Sequence, residues 1–240
     1  MKLLAFLTVI LWALSGPSAR AGDAAELAIL GFSPDGSIFA FEEYGVQDGS
    51  GFPYANRFYI DVTTDKFVKG SPIRVRLDDE NASLDDARAE AAKRGQAIVS
   101  DAALSANRGQ TVALNPITER SADPHLVVAN PRPVLPPIDD PLAFRLEELQ
   151  LAPPANCETI GGNIGYRLLR MGMAAGESAM LLHEDSKIPS SRGCPLGYRI
   201  GAVQTFFPES GSPVFAVLIA VRSYGFEGPD HRWIAVPGRL

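Results

Sequence analysis

The chain has 240 residues, of which 22 are basic and 28 acidic, and its formal net charge at pH 7 is -6. An acidic chain without a basic cluster is a poor partner for phosphate backbones or anionic lipid, so we expect no nucleic acid binding and no membrane insertion. The length suits one domain that buries a proper core.

The first 21 residues have the pattern of a secretory signal peptide. Lys2 precedes an apolar run from Leu3 to Leu14, and small residues follow at Ala19 and Ala21. The run is shorter than the roughly 20 residues that a membrane-spanning helix needs. We therefore expect cleavage near Ala21, a periplasmic or secreted location, and a single β-rich domain over residues 22–240.

Two cysteines, Cys157 and Cys194, remain after the leader. Each could serve as a nucleophile or as a metal thiolate. An exported protein folds where disulfides form, so the sequence favours one disulfide between them.

The pattern of apolar residues predicts a mainly β protein. Residues 38–41 are apolar on both faces, which is typical of a strand inside a sheet. Similar runs predict about ten strands, among them 142–151, 164–173, 198–207 and 214–223. We expect antiparallel sheets packed as a sandwich or an open barrel, with a partial propeller as the alternative.

Two segments interrupt the strands. Residues 83–106 are predicted to be a helical excursion, which begins at a variant capping box of Ser83 and Asp86. The proline-rich segment 130–141 is predicted to be an extended connection, where the domain would divide if it had two halves.

Residues 32–41 followed by residues 58–62 resemble one blade of a Tol-B-type or WD-like propeller. The longer run 30–68, together with residues 223–230, resembles a bacterial family of predicted secreted proteins, a domain of unknown function. This second resemblance implies export. It supplies no catalytic residue and no cofactor.

The two ends of the mature chain share a pattern. In residues 39–60 and again in 220–234, a buried strand leaves through Tyr-Gly, and an acidic loop precedes a strand that opens with arginine and an aromatic residue. We hypothesise that the two loops lie at one edge of the fold. Rigid rings among acids suit a surface that binds a protein or a glycan, although the tyrosines could instead cap the core. The candidate residues are Glu42, Glu43, Tyr44, Asp48, Phe52, Tyr54, Tyr224, Phe226, Glu227 and Asp230.

Two kinds of chemistry remain as alternatives to binding alone. A hydrolase would need a Ser, His and Asp set assembled in space, with His125, His183 or His231 as the base, because no Gly-x-Ser-x-Gly motif is present. A zinc or calcium site has only weak candidates, which are His183, Glu184, Asp185, Asp230 and His231. The sequence favours an exported, non-catalytic binding or envelope-associated interaction module without a cofactor, and it leaves the oligomeric state open.

Overall fold

The computed structural model describes residues 22–79, 81–161, 163–174, 176–225 and 227–240. The predicted leader and Phe226 lie outside these described residues. The strands that are described form three antiparallel sheets, here called the front, central and back sheets. The prediction of a mainly β protein with antiparallel sheets is therefore confirmed.

The front sheet has the order β1-β2-β3-β4, and β5 pairs with another part of β3. The predicted turn between its first two strands forms as expected. The Asp35 carboxylate accepts hydrogen bonds from the hydroxyls of Ser33 and Ser37, and Gly36 adopts a φ of 72°. The strands are β1 (Glu26–Phe32), β2 (Ile38–Val46), β3 (Pro53–Asp61), β4 (Lys66–Phe67) and β5 (Ile73–Arg76).

The central sheet has the order β13-β12-β11-β6. Its strand β12 is buried along nearly its whole length, because one face packs against Phe39 and Phe41 of the front sheet and the other against Phe144 of the back sheet. The continuous apolar run from Val214 to Val221 follows from this double burial. The strands are β6 (Gln110–Leu114), β11 (Pro195–Phe206), β12 (Val214–Ser223) and β13 (Asp230–Arg239).

The back sheet has the order β10-β9-β8-β7. The proline-rich segment 130–141 contains no helix or strand and connects β7 to its neighbour β8. The strands are β7 (Leu126–Ala129), β8 (Leu142–Gln150), β9 (Ile164–Met171) and β10 (Met180–Glu184).

Two helices of the described chain, α1 (Leu84–Gly95) and α2 (Asp101–Ala106), pack on the outer face of the front sheet. The capping box of Ser83 and Asp86 forms as predicted, and Ala87, Ala91 and Gly95 are the buried residues that let α1 approach the sheet closely. The layers therefore follow the order helices, front sheet, central sheet and back sheet. Of the predicted architectures, this is the sandwich.

The predicted disulfide between Cys157 and Cys194 is present, with a Cα–Cα distance of 5.6 Å. It ties the connection between β8 and β9 to the start of β11. Within the described ranges, the helices are too short or too polar to cross a membrane.

Candidate ligand-binding site

The two segments with the shared sequence pattern meet at one edge of the fold. The backbone N–H of Trp233 in β13 donates to the Glu43 carboxylate in β2 at 2.7 Å. Asp23 joins the same segments a second time, because it accepts hydrogen bonds from the Tyr54 hydroxyl at 2.8 Å and from the Arg232 guanidinium at 2.6 Å. The hypothesis that both segments lie at the same edge is confirmed.

Three of the candidate surface residues are buried at this edge. Glu42, Glu43 and Tyr54 are 0%, 4% and 6% exposed, so the prediction that they belong to an exposed surface was wrong. The reason is that each has an internal partner. Burial raises the pKa of Glu43, against the effect of hydrogen bonds from the Trp233 backbone and Asn56. Burial is also the main cause of the raised pKa of Tyr54. Glu42 joins the front sheet to helix α1, and Glu43 joins it to the central sheet.

The other candidates lie nearer the surface. Tyr44 is half-buried beneath the guanidinium of Arg88, which lies 3.9 Å from the ring centroid. Asp48, Phe52 and Asp230 are half-buried, whereas Glu227 is exposed.

Tyr224 is 57% exposed, and its backbone N–H donates to the carbonyl of Cys194. Phe226 lies outside the described residues. A role for Tyr224 and Glu227 in holding a protein or glycan partner stays a prediction.

Of the weak metal candidates, His183 and Asp185 are in contact, but the five are not gathered at one site. His183 Nδ1 lies 3.2 Å from Asp65 and Nε2 lies 3.2 Å from Asp185, so both ring nitrogens face carboxylates on opposite sides. Burial lowers the pKa of His183, but the hydrogen bonds to Asp185 and Asp65 outweigh it and raise the pKa to about 9. A ring protonated at both nitrogens offers no lone pair to a metal.

The remaining metal candidates have partners of their own. Glu184 pairs with Arg167, and Asp230 accepts a hydrogen bond from the Asp23 backbone. Among the residues described, no group of three or more His, Cys, Asp or Glu side chains is placed to hold a metal ion.

The three candidate bases of a hydrolase lie in different settings. His125 Nε2 lies 3.0 Å from the carbonyl of Tyr198, and His183 has its two carboxylates. In the part of the chain that the structure describes, no serine hydroxyl is hydrogen-bonded to His125, His183 or His231. The hydrolase alternative stays a prediction.

His125 and His231 instead line one cavity of about 330 Å³, which we call the basic cavity. Strand register builds it, because Arg222 pairs with His231 across β12 and β13, while Arg199 pairs with Ala220 across β11 and β12. A β-bulge between Pro195 and Gly197 shifts β11 at this end. The lining residues are Ile117, Pro124, His125, Glu148, Gly197, Tyr198, Arg199, Ala220, Arg222 and His231.

The charges of the basic cavity are not balanced. Glu148 is the one carboxylate in the lining, and it accepts a hydrogen bond from the Tyr198 N–H at 2.7 Å and lies 3.6 Å from His125 Nε2. Arg199 donates to the carbonyls of Ile117 and Glu119 and to the Asn115 side chain, and Arg222 donates to the Leu196 carbonyl. Neither arginine has an acidic partner among the described residues.

The pKa of another ionisable group of the lining, His231, is lowered by its surroundings. Burial lowers its pKa, and the neighbouring Arg222, Arg199 and Arg232 lower it further, while Asp230 opposes them. The lining therefore contains two guanidinium groups, one carboxylate and two imidazoles among the described residues.

The sequence pointed to the two histidines of this cavity, but we did not predict Arg199, Arg222 or Glu148. A signal was present. Arg199 stands between Tyr198 and Ile200 in a buried strand, and Arg222 ends the apolar run of β12. A charge in a buried strand, such as that of the half-buried Arg199, needs polar partners, since a buried charge without compensation is costly, whereas Arg222 is exposed to solvent.

The fold and the cavity define a layered antiparallel β protein with a small polar cleft. A second cleft, of about 270 Å³, lies between β1 and the two helices, and Arg88 and Asp101 are among its lining residues. The chain belongs to the family described as "Predicted secreted protein (DUF2259)", whose model matches residues 40–239. No match was found among curated proteins or among solved structures. Membership of this family confirms the predicted resemblance to a family of secreted proteins of unknown function. The resemblance of residues 32–41 and 58–62 to a propeller blade stays a prediction.

Proposed function

We propose that this secreted protein is a binding module that holds a small molecule in the basic cavity. The observation that carries the proposal is the convergence of Arg199, Arg222, His125, His231 and Glu148 on a space of about 330 Å³. Ligand sites in proteins are typically concave, with a volume of roughly 300 to 1,000 Å³ and a few placed polar groups. The cavity is at the small end of that range.

The position of the cavity also supports binding. It lies where β11 extends beyond its partner β6, because β6 pairs only with residues 202–205 of β11. Segment 115–125 takes the place of β6 there, since Asn115 donates to the Gly201 carbonyl and Ile200 donates to the Pro124 carbonyl. A site between a rigid sheet and a connecting segment combines fixed donors with access from solvent.

The proposal is tested by nuclear magnetic resonance on the ¹⁵N-labelled protein. Three probes with the same four-carbon backbone differ in charge: succinate, succinamide and 1,4-diaminobutane. We expect at least one probe to shift the backbone amide signals of Gly197, Tyr198, Arg222 and His231 while leaving those of Val128 and Arg145 in the back sheet unchanged. No shift at the cavity with any probe, or equal shifts in both regions, would contradict the proposal.

A further inference from the structure

We propose that the ligand of the basic cavity is a small organic anion whose carboxylate binds between Arg222 and His231. This inference rests on the proposed function and adds the chemical class of the ligand. It depends on three features of the cavity, which are the lack of counter-ions for its arginines, the free donors of Arg222 and the placement of Glu148.

The first feature is the missing counter-ion. Three arginines elsewhere in the fold are paired with acids: Arg57 with Glu42, Arg192 with Asp185 and Arg232 with Asp23. The half-buried Arg199 and the exposed Arg222 contact carbonyl and amide oxygens of the described residues instead, as Arg170 does. The local excess of positive charge at the two guanidinium groups favours an anion from solution, although the chain as a whole carries a net charge of -6.

The second feature is that Arg199 and Arg222 differ in how many of their donors are already hydrogen-bonded. Both terminal nitrogens of Arg199 are used on the carbonyls of Ile117 and Glu119 and on Asn115. Among the described residues, Arg222 makes one hydrogen bond, of 3.0 Å, from Nη2 to the Leu196 carbonyl. Arg199 therefore supplies charge and holds the wall formed by segment 115–119. Arg222 supplies the donors, and its planar fork matches a carboxylate.

The third feature is the fixed position of Glu148. Its Oε1 accepts from the Tyr198 N–H, lies 3.6 Å from His125 Nε2 and lies beside Gly197, where the Arg222 guanidinium also lies. Repulsion from this carboxylate places the proposed anion on the His231 side of Arg222, because Arg222 and His231 are directly paired on β12 and β13. The small volume restricts the ligand to a compact acid.

Proton uptake should accompany binding. A carboxylate beside the His231 ring stabilises its protonated form, which Arg222, Arg199 and Arg232 disfavour and Asp230 favours in the free protein. His125 and Glu148 line the same cavity. Binding that takes up a proton strengthens as the pH falls.

The test compares the affinities of succinate, succinamide and 1,4-diaminobutane by titration calorimetry at constant ionic strength. We expect succinate to bind and the other two not to. Arg222→Gln should weaken succinate binding by about tenfold or more, and Arg222→Lys should restore part of it. Arg145→Gln, which removes an exposed arginine of the back sheet, is the matched control and should leave the affinity unchanged. Wild-type affinity should rise as the pH falls through neutrality.

The failures of the two proposals are distinguishable. Binding of succinamide or 1,4-diaminobutane at the cavity, as tightly as succinate or more so, would overturn the anion while leaving the binding module in place. Succinate binding that survives Arg222→Gln would overturn the role of Arg222. Absence of binding by all three probes would overturn both proposals.

Discussion

His183 in β10 lies 3.2 Å from Asp65, measured from Nδ1 to Oδ2, and this contact joins the back sheet directly to the turn between β3 and β4 of the front sheet. On its other side the imidazole contacts Asp185, which also pairs with Arg192. The ring stacks on Tyr166 with centroids 4.7 Å apart. Two acids and two bases thus alternate along a line that runs between the outer sheets.

The ion pairs of His183 with Asp65 and Asp185 should make the unfolding free energy depend on pH, because His183 must be protonated to form them. The pKa of His183 rises from 6.5 to about 9 in the folded protein, so its contribution is fully present below pH 6.5 and is lost as the pH rises through 9. The side chain is only 26% exposed, and the shift corresponds to roughly 2–3 kcal/mol of unfolding free energy. The contribution is measured by comparing the unfolding free energy of the wild type in urea at a pH below 6.5 and at a pH above 9.

The control for this prediction is His183→Gln, which keeps a polar side chain and removes the titrating group. Its unfolding free energy should fall furthest below that of the wild type at acidic pH, and the gap should narrow above pH 9. A gap of the same size at both ends of the range would show that His183 acts through packing on Tyr166 instead of through its charge.

Removal of the disulfide should destabilise the protein. Cys157 and Cys194 are 37 residues apart, and closing a loop of that length stabilises a fold by about 4 kcal/mol in the chain-entropy model. We expect the double variant Cys157→Ser, Cys194→Ser to lose about that much unfolding free energy in urea. The wild type measured under reducing conditions should lose a similar amount. Equal stability of the oxidised wild type and the double variant would contradict the prediction.

Among the acids of the front sheet, Glu42 should cause the largest loss of unfolding free energy when it is replaced. It is fully buried and accepts hydrogen bonds of 2.6 Å from Arg57 and from Arg88, so it joins β3 and helix α1 to β2. Glu42→Ala leaves the buried Arg57 with Asp101 as its remaining acid, and we expect a loss of about 3–5 kcal/mol in urea unfolding.

The matched control for Glu42 is Glu90→Ala, which removes a partly exposed glutamate paired with the exposed Arg94 on helix α1. Exposed pairs contribute little, so the control should unfold close to the wild type. If Glu42→Ala and Glu90→Ala had effects of similar size, the buried network would not be what fixes helix α1 to the sheet.

Local patterns were sufficient to predict much of the fold. The apolar run from Val214 to Val221 indicated an internal strand, and Ser83 with Asp86 marked the start of helix α1. Strand β6 was missed because Val112 and Ala113 are only partly buried at the edge of the central sheet, which leaves a weak alternation. The stacking of three sheets depends on contacts between distant segments, and no local pattern records them.

The site was less predictable than the fold for the same reason. His231 pairs with Arg222 through strand register, and His183 meets Asp65 across a separation of 118 residues. The acids Glu42 and Glu43 resembled surface residues because sequence alone does not show that Arg57 and the Trp233 backbone are their partners. The matching patterns of the two shared segments suggested the hypothesis that they lie at one edge, but the contacts that place them there join Glu43 to Trp233 across 190 residues.

The pKa of His231, measured by nuclear magnetic resonance with and without saturating succinate, tests the binding account most directly. In the free protein it should lie below the ordinary value of 6.5, because the ring is buried beside Arg222, and succinate should raise it. Succinamide should leave it where it was. A pKa that succinate leaves unchanged or lowers would contradict the binding of an anion between Arg222 and His231.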